Sequence, residues 1–297
     1  MNLWNHYHTP HTLEDALALL NAYAGSARVV AGGTDLLVET RANQHPPHEA
    51  LIDITAIPEM REIRLAGDDV LIGAGVTHAE IVRSPIIRAR ATCLAESCGV
   101  VGGPQVRNVA TLGGNVAHAL PAGDGTVSLV ALNAEAEVIL QGERRWLPIR
   151  DLYLGPAKSL LDPSRDLLLG FRLRGAAGGQ ASAFNRVMRP QGVALPVLGC
   201  AVWVALDDTR THYADVRICI APVGPTPTRA DAVEAALQGQ PVAESALSAA
   251  VAAAQQTLRP RTSKYRATAE YRHELIEVLL RRTLTAAAER AASRLSS

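Results

Sequence analysis

Apolar and polar positions divide the chain into short, unlike segments. Leu13–Leu20 (LEDALALL) repeats apolar residues at helical spacing behind Thr12, an N-cap type of residue, which predicts a helix over 12–23. Arg28–Ala31 (RVVA) is a short apolar run that stops at Gly32 and Gly33, and Thr34–Arg41 (TDLLVETR) then opens a second helix. Ala50–Ile54 (ALIDI) reads as a strand bracketed by the breakers Pro46, Pro47 and Pro58, with a boundary between lobes near residue 56. Ile63–Ala74 (IRLAGDDVLIGA) reads as two strands around a Gly-Asp-Asp turn, Thr77–Arg90 as a helix and Ala91–Gly99 as another. Further on, Val127–Leu132 predicts a helix, Ala136–Leu140 and Arg145–Ile149 strands, and Asp166–Leu173 (DLLLGFRL) one strand more. Gly175–Gln180 (GAAGGQ) is small enough to act as a flexible joint. Val193–Leu206 and Asp215–Ala221 follow as strands, and Arg229–Leu237, Glu244–Leu258 and Ala269–Arg294 as Ala-rich helices, so the final third reads as a sheet covered by helices. No fixed-period repeat occurs, and the class is α+β.

Composition narrows this picture. At 297 residues the chain suits two or three small domains sharing one cofactor. Hydrophobic residues reach 48% with only 2 Phe and 3 Trp, so the core is built from Ala, Val, Leu and Ile. Lys plus Arg equals Asp plus Glu at 29 each, which removes the broad positive field that nucleic acid would need. There is no run of eighteen apolar residues, and the first twenty residues lack the basic start and apolar centre of a secretory signal. No membrane span and a cytoplasmic location are therefore expected. Cys93, Cys98, Cys200 and Cys219 form no CxxC pair and are read as buried structural residues in a reducing compartment, without metal. His6, His8 and His11 are read as alternate positions on a terminal strand.

Two segments are candidates for chemistry. A diphosphate is met most cheaply by backbone N–H groups in a tight glycine turn or at a helix start. Gly32, Gly33 and Thr34 supply such a turn, where a side chain would block close approach or forbid positive φ; Asp35 is compatible if it points away to cap the helix. Val100–Asp124 (VVGGPQVRNVATLGGNVAHALPAGD) repeats the chemistry, with the hydroxyl, amide and N–H groups of Thr111, Gly113, Gly114 and Asn115 directed at one anion. Asp124 suits a ribityl or ribose hydroxyl as acceptor, or is an ordinary surface aspartate. Gly73-Ala74-Gly75 is not a dinucleotide fingerprint, because His78 stands at the third glycine position and no βαβ unit surrounds it. Neither a phosphate loop nor a GxSxG elbow is present.

Ala31–Leu37 (AGGTDLL) together with Gln105–Asp124 (QVRNVATLGGNVAHALPAGD) resembles the paired FAD signature of the medium subunits of molybdenum hydroxylases, the xanthine dehydrogenase and aerobic carbon monoxide dehydrogenase type. The likeness extends to YHTPHTLEDALALL, FNRVMR, GPTPTRA and RATAEYR, nearly the whole chain. It implies a two-lobed FAD-binding domain of the vanillyl-alcohol-oxidase/PCMH type over 1–176 and a smaller α+β C-terminal domain over 181–292. It implies FAD contacts from Val29, Val30, Ala31, Gly32, Gly33, Thr34, Asp35 and Leu36, a second wall from Thr111, Gly113, Gly114 and Asn115, and further contacts from Asp124, Val101 and Leu168. Leu120 and Asn185-Arg186 depart from the family pattern; Arg186 either lends positive charge to the flavin or forms a surface salt bridge. The resemblance further implies a [2Fe-2S] small subunit, a molybdopterin large subunit that oxidises the substrate, and an electron acceptor such as NAD, a quinone or oxygen. AGGTDLL leans towards the xanthine or aldehyde side over carbon monoxide. The alternatives are a self-contained flavin oxidase and a scaffold subunit that has lost FAD.

Overall fold

A computed structural model describes residues 3–44, 47–189, 195–264 and 266–294. Pro46 and Val193, named above, lie outside them.

The chain starts with a three-stranded parallel sheet, β1 (Trp4–His8), β2 (Ala27–Val30) and β3 (His48–Asp53), with β3 in the middle. Helix α1 (Leu13–Ala22) covers it, buries Leu13, Ala16 and Leu20 at helical spacing, and starts at Thr12, whose hydroxyl accepts from the Asp15 N–H. Helix α2 (Leu36–Arg41) follows the Gly32-Gly33 turn. His6 and His8 occupy alternate positions of β1, His8 bonding the Tyr23 hydroxyl and His6 facing Glu49.

Two single-turn segments, Ile54–Ala56 and Pro58–Met60, lead to the second sheet, whose antiparallel order is β4-β5-β10-β6-β7. Its strands are β4 (Ile63–Ala66), β5 (Asp69–Gly73), β6 (Glu135–Leu140), β7 (Glu143–Pro148) and, after the small hairpin β8 (Tyr153–Gly155) and β9 (Lys158–Ser159), β10 (Leu167–Arg174). The expected Thr77–Arg90 helix is two, α3 (His78–Arg83) and α4 (Pro85–Arg90), because Pro85 has no N–H and drives Ser84 to an extended conformation. Helix α5 (Thr92–Gly99) follows. The turn-rich stretch folds into two short helices, α6 (Pro104–Arg107) and α7 (Leu112–Ala117), before the fully buried α8 (Asp124–Ala131). Gly175–Gln180 joins the second sheet to the third, and its first residues are pinned where the sequence reading expected flexibility. The Gly175 and Ala176 N–H groups donate to the Asp68 and Arg90 carbonyls, and both residues are buried.

The third sheet is a meander of β11 (Gln180–Met188), β12 (Pro196–Leu206) and β13 (Tyr213–Ala221), backed by α9 (Asp231–Leu237), α10 (Glu244–Thr257) and α11 (Ala269–Ser293). Strand β12 is apolar almost throughout because both of its faces are covered. Ala201 and Trp203 join the core that contains α5 and α8, while Leu198, Cys200, Val202 and Val204 join the core of α11. Phe184 and Cys219 on the neighbouring strands face the first core, and Ala183, Ile218 and Ile220 the second. All four cysteines are buried and free.

Candidate functional site

Between the first two sheets lies a cavity of about 760 Å³, within the range of cofactor sites. Val29, Val30, Ala31, Gly32, Gly33, Thr34, Asp35 and Leu36 line it on one side, Thr111, Gly113, Gly114 and Asn115 on another, and Leu168 of β10 on a third. The two glycine turns thus meet at one cavity.

They are also in contact with each other. A Cβ on Gly32 would stand 2.1 Å from the Val109 carbonyl oxygen and 2.8 Å from Ala110 Cα, so this glycine lets one turn press against the other. Gly33, at φ +65°, is the one that needs left-handed backbone. Segment 110–113 is in turn zipped to 74–78: Leu112, Gly113 and His78 donate to the carbonyls of Val76, Ala74 and Ala110. The glycines of the rejected Gly73-Ala74-Gly75 motif have a packing role, since a Cβ on Gly73 would meet the Met60 carbonyl at 2.2 Å, while Ala74 supplies cavity floor.

The turns differ as anion donors. Among the described residues, the N–H groups of Gly32, Gly33, Thr34, Asp35 and Leu36 donate to nothing in the chain. Asp35 takes the N-cap position of α2 without a side-chain capping bond, so the expected cap is not formed. The second turn corrects the sequence reading: Gly113 N–H goes to Ala74, Gly114 N–H to the Thr111 hydroxyl and Asn115 N–H to the Thr111 carbonyl. What it offers the cavity is side chains, those of Thr111 and Asn115, and Asn115 Oδ1 is buried with no partner among the described residues.

Val101, Asp124 and Arg186 do not line this cavity and form a second group. Arg186 Nη1 donates to Asp124 Oδ2 at 2.6 Å, and Nη2 to the Val100 carbonyl at 2.5 Å. Both side chains of the pair are about 7% exposed or less, so the bridge is buried and neither residue is a surface group. Burial pushes the Asp124 carboxyl up to about 6 against the opposing pull of Arg186 and Arg266. Val101 is held next to this pair by Arg107, which donates to the carbonyls of Val101 and Gly102. The groups adjoin at Asn115, whose Oδ1 would lie 3.0 Å from a Cβ on Gly123.

The sequence reading missed several cavity residues. Arg28 is a half-buried cation of β2 whose guanidinium makes no hydrogen bond among the described residues; burial lowers its pKa, while Glu39 and Asp162 act to raise it. Its signal was present, a charge at the head of an apolar run. His78, the His118–Glu39 pair at 3.4 Å, and Lys158 with Ser159 from the β8–β9 hairpin carry no local signal and reach the cavity only through tertiary packing.

Comparison with known proteins finds matches along nearly the whole chain. Residues 3–173 match the family described as FAD binding domain in molybdopterin dehydrogenase, and 182–287 the CO dehydrogenase flavoprotein C-terminal domain. The chain is 33% identical to the carbon monoxide dehydrogenase medium chain of Hydrogenophaga pseudoflava, over 96% of this chain and 98% of that one. It is 29% identical to the xanthine dehydrogenase FAD-binding subunit of Escherichia coli O157:H7 (97% and 98%) and 32% to the nicotine 6-hydroxylase medium subunit of Paenarthrobacter nicotinovorans (96% and 97%). The solved carbon monoxide dehydrogenase of Hydrogenophaga pseudoflava superposes with a TM-score of 0.88 over 96% of this chain and 97% of that one, at 33% identity. Quinoline 2-oxidoreductase of Pseudomonas putida 86, at 23% identity and a TM-score of 0.87 over 97% and 98%, shares the fold.

Proposed function

Because the chain belongs to the FAD-binding medium subunits of the molybdenum hydroxylases, we propose that it relays electrons within a heteromeric complex and leaves oxidation of the organic substrate to a partner. When bound, FAD supplies the redox centre, taking electrons from a [2Fe-2S] small subunit and passing them to NAD+, a quinone or oxygen, while a molybdopterin large subunit works on the substrate. The same reading divides the chain into a FAD-binding domain over 1–176, two-lobed with its boundary near residue 56, and a C-terminal domain over 181–292.

The observation that carries the reading is the row of five N–H groups at Gly32–Leu36, without a partner among the described residues, on a cavity walled by Thr111–Asn115. A diphosphate would satisfy that row, with the Arg28 guanidinium and Lys158 ammonium adding positive charge. Thr111 and Asn115 would hold polar atoms of the same molecule, and Ala74 and Leu168 give it an apolar floor. Val101, Asp124 and Arg186 would stand beside the flavin ring, where the buried guanidinium favours negative charge on the reduced ring. A scaffold that had lost FAD would have no use for an unpaired N–H row.

No helix among the described residues is long and apolar enough to cross a membrane. Carbon monoxide, xanthine and nicotine relatives lie within 29% to 33% identity, too narrow a spread to favour one substrate class.

The test is anaerobic. The purified chain is expected to bind FAD and to bleach with dithionite, yet to stay yellow with candidate alcohols, acids or heterocycles. Bleaching by such a compound in the absence of other subunits would replace the relay with a self-contained oxidase.

A further inference from the structure

His78 opens α3 and lines the cavity, yet it is 1% exposed, and its Nδ1 is buried without a hydrogen-bond partner among the described residues. The rest of its surroundings is fixed. Its N–H donates to the Ala110 carbonyl, and the preceding Thr77 closes a capping box with Glu80 and bridges to Thr111. The ring is therefore held against the second glycine turn by main chain, and leaving its nitrogen unpaired costs the desolvation of a polar atom. Burial, with the nearby charge of Arg107 in support, pushes its pKa down to about 4. At neutral pH the ring is uncharged, with one nitrogen donating and the other accepting.

A neutral ring of this kind is a poor partner for a phosphate, which offers acceptors and needs charge or donors. It suits a hydroxyl, which donates and accepts. Its place in the cavity selects which hydroxyl. His78 is tied to the second turn through its N–H bond to Ala110 and the Thr77–Thr111 bridge, and its ring feels the charge of Arg107, the residue that holds the carbonyls of Val101 and Gly102. In the dinucleotide reading above, the first of these belongs to the wall opposite the N–H row that takes the diphosphate and the second holds Val101 beside the flavin ring, and what connects diphosphate and ring in FAD is the ribityl chain.

We infer that His78 is a positioning residue for the cofactor, its unpaired ring nitrogen bonding a ribityl hydroxyl and so setting the depth of the flavin ring relative to Val101. The inference rests on the FAD reading and deepens it.

The experiment measures FAD affinity of the full chain, freed of flavin, by fluorescence titration with FAD and with FAD analogues lacking a single ribityl hydroxyl. His78→Phe is expected to weaken FAD about tenfold and His78→Gln, which keeps a donor and an acceptor, only about two- to threefold. With the analogue that lacks the bonded hydroxyl, the difference between wild type and His78→Phe should vanish. Equal FAD affinity for wild type and His78→Phe, or a loss of the same size for every analogue, overturns the assignment. If the variants do not fold, the unmutated protein still decides: in 15N-labelled protein the His78 ring nitrogen resonances should move when FAD is added, and unmoved resonances in an FAD-saturated sample overturn it. Failure of the wild type to bind FAD at all would overturn this assignment together with the functional reading.

Discussion

A methyl group at Gly32 would have no space, and one at Gly33 would have space but the wrong backbone. The Gly32 Cβ would meet carbonyl oxygen and Cα atoms of the adjoining turn below 3 Å, and main chain cannot swing aside as a flexible side chain can. At Gly33 the nearest atoms belong to Leu37 at 3.4 Å, an ordinary contact, and the cost is that of left-handed φ, about 1–2 kcal/mol. Gly32→Ala is therefore expected to lose roughly 3 kcal/mol or more and most FAD binding, and Gly33→Ala about half that. Denaturant melts with FAD titrations check it, and equal losses would mean that the turns do not bear on each other. His78 makes a separate prediction about pH. Its pKa falls from 6.5 in the unfolded chain to about 4 in the fold, so between those values only the unfolded chain takes the proton. Its contribution is full above pH 6.5 and is lost as pH falls through 4, about 3 kcal/mol in all. Asp124 has the opposite sign: its contribution is full below about 3.8 and is lost as pH rises through about 6. His78→Gln should therefore leave stability rising as pH drops from 6 to 4, where the wild type is flatter.

At the scale of elements, what ties β11 to the helices in front of it is a few polar clips, one of them a buried ion pair. Arg186 of β11 reaches Asp124 at the start of α8, and Glu96 of α5 accepts from the Phe184 N–H of β11 and from Arg290 of α11. Removing one half of the Arg186–Asp124 pair leaves a desolvated charge, worth about 3–5 kcal/mol, whereas removing both leaves apolar volume. Arg186→Met should destabilise by that order, whereas Asp124→Asn, which keeps an acceptor for the guanidinium and removes a charge that burial opposes, should cost less, and the double variant no more than Arg186→Met alone. Additive losses in urea melts would show that the pair contributes only packing. Most of these elements were legible in the sequence: Thr12 and the spacing of Leu13, Ala16 and Leu20 gave α1, and Gly67 gave the β4–β5 turn. Helix α7 was not, because LGGNVA carries two of the poorest helix formers and is held by the Thr111 cap and by Gly113 packing on Ala74. The split at Ser84-Pro85 was readable from proline chemistry and was overridden by a helical pattern on both sides. In the site, consecutive glycines announced the turns, but that the second turn spends its N–H groups on Ala74 and Thr111 depends on a neighbour some forty residues upstream and on loop geometry, which no local pattern carries.

Across the whole molecule, the third sheet is shared property. Alternate residues of β12 enter different cores, so Trp203, Ala201, Phe184 and Cys219 complete the packing of α8 and of α5, whose Cys93, Leu94 and Cys98 are fully buried. All of the cavity lining comes from residues 28–168, yet the helices that brace it lean on a sheet beyond residue 180. A chain ending at residue 176 would uncover that face, and each large apolar side chain returned to water costs about 1.5–3 kcal/mol, enough in sum to exceed the stability of an ordinary domain. The full chain is expected to unfold in one calorimetric transition, and saturating FAD at about a hundred times its Kd should stabilise the whole by about 2.7 kcal/mol. Fragment 1–176 should show no cooperative melt and no FAD binding, although it holds every cavity residue. A fragment that melts cooperatively and binds FAD as the full chain does would mean that the flavin lobe folds alone and that the C-terminal sheet rests on it without supporting it.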